Sequence, residues 1–160
     1  MRVIGIDPGT AVTGYGVVES RGSRLEAVAY GVIRTPSGLS VAKRLEQIYS
    51  GLREVIAAHK PEIASVEQLF VSRNPRAALA AGQARGVSLL AAANSGLEIA
   101  EFSALQVKQA VVGYRKADKR QVPEMVKVLL GLPEVPRPDD AADALAVAIC
   151  RLHTVHIREE

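Results

Sequence analysis

Val3-Ile4-Gly5-Ile6-Asp7-Pro8-Gly9-Thr10 is a short apolar run that ends on a carboxylate and breaks at once into a turn. Val3, Ile4 and Ile6 suit a buried strand, and Pro8-Gly9 stops the ladder from continuing. Asp7 then stands at the lip of a sheet, where a charge is costly unless it is paired or holds a metal. A carboxylate on a rigid strand end is well placed to bind a divalent cation. The plainer alternative is an Asx-turn that opens the Pro-Gly corner.

Two further strands follow closely, Gly14–Ser20 and Leu25–Ile33, and links this short favour antiparallel hairpins. Val41, Leu45, Ile48, Leu52, Val55 and Ile56 then recur at three- and four-residue steps, the rhythm of an amphipathic helix closed by Pro61. Glu62–Val66 is a fourth strand leading into Glu67. The Ala- and Gly-rich stretch 74–94 is helical in rhythm, and Leu97–Phe102 makes a fifth strand. Ser103 and Gln106 have capping-box spacing for a helix ending near Gly113. Another helix covers about 118–130, with Pro123 marking its first turn or kinking it. The last helix starts near Pro138-Asp139 and runs to about His153. Hairpin strands followed by strand–helix alternation predict an α/β fold, a mixed five-stranded sheet with helices on both faces. With no repeat or linker, residues 1–160 read as a single domain.

An apolar fraction of 48% excludes a disordered chain. No apolar run approaches the roughly 20 residues that cross a bilayer, and an opening that goes straight into a strand leads us to expect no signal peptide. Cys150 is the only cysteine, which excludes a disulfide framework and a thiolate metal cage and predicts a reducing, cytoplasmic setting. The net charge is only +3, yet residues 108–127 carry +4 from Lys108, Arg115, Lys116, Lys119, Arg120 and Lys127 against Asp118 and Glu124. A basic stretch of this kind suits a polyanion such as nucleic acid; its plainer reading is a solvated helix face.

The remaining acids fall at telling places. Glu67 follows the strand Ile63-Ala64-Ser65-Val66, at a carboxyl end where open α/β sheets bind ligands. Asp139, Asp140 and Asp143 open the final helix. Capping and the helix dipole account for Asp139 as N-cap. They account less well for Asp143, which lies deeper among Ala142, Ala144 and Leu145. Asp140 and Asp143, three apart, project from one helix face. Converging like charges are most simply held together by cations. An all-oxygen set without Cys or a nearby His selects Mg²⁺ or Mn²⁺ over zinc.

Several segments resemble RuvC, the Holliday-junction resolvase family: Gly5-Ile6-Asp7-Pro8-Gly9, Val12-Thr13-Gly14-Tyr15-Gly16-Val17, Val66-Glu67-Gln68-Leu69-Phe70 and Gln83-Ala84-Arg85-Gly86. Gln106-Val107-Lys108-Gln109 and Asp140-Ala141-Ala142-Asp143-Ala144-Leu145-Ala146 continue the match in order over nearly the whole chain. The resemblance implies an RNase H-like fold and a homodimer that nicks two opposed strands of a four-way DNA junction. It puts catalytic, metal-binding acids at Asp7, Glu67, Asp140 and Asp143, with two Mg²⁺ ions per site and Mn²⁺ as a substitute. It makes Phe70 an aromatic that stacks on unpaired bases, and Lys108 and Lys119 contacts to the scissile backbone. It gives the helix bearing Ala78, Gly82 and Gly86 a role in the dimer, against the alternative of tight packing within one subunit. RuvA and RuvB, the branch-migration proteins, are the implied partners. Asp7-Pro8-Gly9-Thr10 also resembles the phosphate loop of actin-like ATPases and sugar kinases. Those proteins need two such domains around a nucleotide, and this chain holds one.

Overall fold

Strands β1 (Arg2–Asp7), β2 (Val12–Arg21) and β3 (Arg24–Arg34) form an antiparallel meander, as the short turns between them require. In this computed structural model, which describes residues 1–69, 73–113 and 118–158, β4 (Ile63–Glu67) runs parallel to β1 and β5 (Glu98–Phe102) parallel to β4. The sheet order is β3-β2-β1-β4-β5. Helix α1 (Val41–His59) links β3 to β4, and α2 (Pro75–Asn94) links β4 to β5. Helices α3 (Ala104–Val112), α4 (Gln121–Leu130) and α5 (Asp139–Arg158) follow.

Local chemistry sets most boundaries. Ser40 caps α1, which ends at His59, before Pro61, because Lys60 turns into the left-handed region at φ 50°. Asn74 caps α2 with Pro75 in its first turn. The capping box of α3 forms as expected: the Ser103 hydroxyl accepts from the Gln106 N–H, and the Gln106 amide oxygen accepts from the Ser103 N–H. Pro123 sits in the first turn of α4, where a missing N–H leaves no hydrogen bond unmade, so that helix is not kinked. Asp139 is not the N-cap of α5. The helix already includes it, and the N–H groups of Ala141 and Ala142 donate to the Pro138 carbonyl.

Two apolar layers sandwich the sheet. Ile4, Ile6, Val17, Ala64 and Val66 pack with Ile48, Leu52 and Ile56 of α1 and Ala84, Ala91 and Ala92 of α2. On the other face Val3, Val18 and Ile63 meet α3, α4 and the buried stripe of α5 from Leu145 to Leu152. His153 is half-buried, and its Nδ1 lies 2.7 Å from the Ala110 carbonyl, tying α5 to α3.

The register decides which side chains share that second face. Val3, Gly5 and Asp7 alternate onto it, opposite Val18, Gly16 and Gly14 of β2. Ile63 and Ser65 join them from β4, with Glu67 next in the alternation. Gly5, Gly14 and Gly16 form a trough for α5. A Cβ on Gly5 would fall on the Ala144 carbonyl oxygen, one on Gly14 on the Asp140 carbonyl oxygen, and one on Gly16 would lie 2.9 Å from the Leu145 nitrogen. Only glycine lets a helix backbone come this close. The Ser65 hydroxyl, fully buried, donates to the Val147 carbonyl at 2.8 Å and fastens the helix along the trough.

Candidate active site

Asp7 and Glu67 end two adjacent parallel strands on the face that α5 crosses, and α5 begins with Asp139, Asp140 and Asp143. Asp7, Glu67 and Asp143 line one open cleft of about 220 Å³, together with Leu69, Arg85 and Lys119. Asp140 completes the group through a hydrogen bond to the Asp7 carboxyl. The loop beyond Asp7 is braced by Thr13. Its buried hydroxyl donates to the Gly9 carbonyl at 2.7 Å and accepts from the Gly9 N–H at 3.2 Å.

The electrostatics are those of crowded acids. Burial, then the charges of Asp143 and Asp140, the hydrogen bond with Asp140 and the charge of Glu67 push the Asp7 pKa up to about 8. Glu67 is raised by burial and by Asp143, with Lys119 pulling it back. Asp143 is raised by burial and by Asp140 and Asp139, again with Lys119 opposing. Lys119 thus offsets part of a four-acid repulsion, and a bound cation would offset it more fully. The set remains open: among the described residues, no three Asp, Glu, His or Cys side chains close into a ready-made cage. The donors themselves fit a hard divalent ion, being carboxylates carried on two strand ends and a helix start.

The structure brings together all four acids singled out in the sequence, and with them Lys119. It also separates Asp140, which bonds to Asp7, from the exposed Asp139, whose charge acts on Asp143. Lys108 is half-buried on α3, and its charge bears on Asp118. Phe70 lies outside the described residues, as do Arg115 and Lys116 of the basic stretch. Arg85, Thr13 and Ser65 were not singled out by the sequence, although Thr13 and Ser65 are small polar residues within apolar strands, a pattern that marks a buried hydrogen bond. Among the described residues, a Cβ added to Gly86 would meet nothing within 4 Å and one on Gly82 only Leu69, at 3.8 Å, so neither glycine marks a close helix crossing there.

A mixed sheet with acids at the carboxyl ends of two neighbouring inner strands, crossed by a helix that starts on two more, defines a nuclease of the RNase H-like class. A family model of the crossover junction endodeoxyribonuclease RuvC matches residues 3–151. The chain belongs to this RuvC family of endonucleases. Its relative from Heliobacterium modesticaldum, a crossover junction endodeoxyribonuclease RuvC, is 56% identical over 155 residues, covering 97% of this chain and 96% of its own. T. thermophilus RuvC, solved in complex with a Holliday junction substrate, is similar with a TM-score of 0.93 at 35% identity, over 99% of this chain and 96% of that one. The yeast mitochondrial Holliday junction resolvase shares the fold, with a TM-score of 0.66 at 12% identity over 98% of this chain and 83% of that one.

Proposed function

We propose that this protein acts as a homodimer on four-way DNA junctions, nicking two opposed strands symmetrically during recombination and repair. The reaction is divalent-metal-dependent phosphodiester hydrolysis that leaves a 5′-phosphate and a 3′-hydroxyl. The observation that carries this reading is the crowding of Asp7 against Asp140, Asp143 and Glu67 at a cleft that Lys119 also lines. Asp7, Glu67, Asp140 and Asp143 would hold two Mg²⁺ ions, with Mn²⁺ as a substitute. When bound, such ions supply a nucleophilic water at neutral pH and a Lewis acid for the departing oxygen.

The chain's own residues do the rest. Asp7 stands centrally, within electrostatic reach of all three other acids, so that it serves both ion positions. Lys119 offers its ammonium to the phosphate, the opposite charge to the acids beside it. Lys108 continues the phosphate track, and Phe70 stacks on bases opened at the crossover, worth about 1–3 kcal/mol per base.

Symmetric nicking needs two sites at a fixed separation. An apolar stripe on α2 supports a dimer, for Leu79 and Leu90 are 64% and 51% exposed on either side of the open Gly86. Residues 1–160 act as one domain, in the cytoplasm, with RuvA and RuvB as partners by family relation. Among the described residues no helix is long and apolar enough to cross a membrane.

The test is Asp7→Asn on labelled four-way DNA with Mg²⁺. Nicking should vanish while junction binding stays or tightens, because a ligand is lost and the basic surface is not. Cutting at the wild-type rate would end the proposal.

A further inference from the structure

Arg85 lies on α2 with its side chain 19% exposed, and its guanidinium bridges two strands. Nη2 is 3.0 Å from Glu101 Oε1 on β5, and Nε donates at a long 3.4 Å to the main-chain carbonyl of Glu67 on β4. That carbonyl lies past the sheet's own support, because β1 pairs with β4 only as far as Val66. On the other side of the same peptide, the Gln68 N–H donates to the Phe102 carbonyl at 2.7 Å. The Glu67–Gln68 peptide is therefore held from both directions, by β5 and by Arg85, and Glu101 beside Phe102 holds Arg85 in turn.

We propose that Arg85 is a positioning residue for Glu67: by joining the Glu67 carbonyl to Glu101, it fixes the strand end from which the Glu67 carboxylate faces Asp7 and Asp143. The inference rests on the metal-dependent reading of the cleft and names a residue that reading does not use. Arg85 acts on the backbone of Glu67. Among the described residues, the cation whose charge acts on the Glu67 carboxyl is Lys119. The two contacts are made from separate nitrogens of one rigid plane, Nε and Nη2; a lysine ammonium gathers its donors on a single nitrogen at the end of a flexible stem and does not reproduce that spacing. Groups that orient metal ligands from behind matter on the scale of 10–100-fold in affinity or activity. A bond to the main chain, one step removed from the carboxylate, belongs at the lower end of that range.

The experiment uses the whole chain, with Arg85→Gln, Arg85→Lys, Glu101→Gln and the Arg85→Gln/Glu101→Gln double variant. Mg²⁺ affinity is read by calorimetry without DNA, the Mg²⁺ half-saturation by junction nicking, and the Gln68 amide by hydrogen exchange. Arg85→Gln should weaken Mg²⁺ binding about tenfold, raise the half-saturation to match, and speed Gln68 exchange. At saturating Mg²⁺ its nicking rate should stay within about twofold of wild type. Arg85→Lys should not rescue it, and the double variant should be no worse than Arg85→Gln alone, because both residues act through one bridge.

Wild-type Mg²⁺ affinity in Arg85→Gln would overturn the proposal, whether the variant loses junction affinity and about one unit of salt slope, as a phosphate contact would, or simply melts earlier. A wild-type protein that binds Mg²⁺ yet nicks no junction would refute the nuclease reading alone, since the calorimetric comparison does not depend on cleavage.

Discussion

Gly14→Ala probes the trough that sets the distance between α5 and the sheet. The new Cβ would land on the carbonyl oxygen of Asp140 and come within 3.1 Å of the Ala141 nitrogen. Both are backbone atoms of the first turn of α5, so no side-chain rotation relieves the overlap. Restoring ordinary contact moves that turn by on the order of 1 Å, and overpacking of this kind costs about 1–3 kcal/mol. For a chain of this size that is a fall of roughly 3–10 °C in Tm. The catalytic loss should be larger in proportion, because Asp140 rides on the displaced turn and a 1 Å misplacement can lower a rate about 10²-fold. The assay is nicking of a labelled four-way junction across a Mg²⁺ titration, with a thermal melt beside it. Gly38→Ala is the control, since a Cβ there meets nothing within 4 Å. If Gly14→Ala nicks at the wild-type rate with unchanged Mg²⁺ dependence, close approach at Gly14 does not place Asp140, and the account of the site fails at its base.

Stability should also depend on pH in a way that reports the acid cluster. Asp7 is raised from 3.8 to about 8, with Glu67 and Asp143 raised as well, so the folded protein holds protons that the unfolded chain releases. That contribution is fully present below about pH 4 and is lost as pH rises through 8. Metal-free protein should therefore lose Tm from pH 5 to 8, Asp7→Asn should flatten the slope, and Mg²⁺ should restore the loss at pH 8; a flat metal-free profile would contradict the crowding. Lys119→Ala should weaken junction binding and lower its salt slope by about one, and an unchanged slope would take Lys119 off the phosphate. Leu79→Glu with Leu90→Glu should convert a dimer to monomers at gel filtration while leaving monomer stability within about 1 kcal/mol, because both positions are exposed. A persistent dimer would place the interface elsewhere.

Much of the fold was legible because its determinants are local. The alternation of β1, the Pro8-Gly9 break, the capping box at Ser103 and the helical rhythm of α1 each lie within a few residues. The end of α1 just before Pro61 was legible as well, although Lys60 there takes a left-handed conformation that usually signals glycine or asparagine. Asp139 was misassigned as a cap because Asp is a common N-cap, while here the helix begins one residue earlier than that assignment allows. Arg85 stood in a quoted motif without a role, since nothing local reveals that its guanidinium spans two strands.

By itself, the sequence determined where the strands and helices lie, and that four carboxylates end strands or open a helix. These follow from periodicity, turn residues and caps. The tertiary structure alone decided that the four acids share one face and that α5 lies close enough along the sheet for Asp140 to act on Asp7. Those outcomes depend on strand register and on how near one backbone can come to another. Gly5, Gly14 and Gly16 control that approach by having no side chain, and so leave no trace in any apolar pattern.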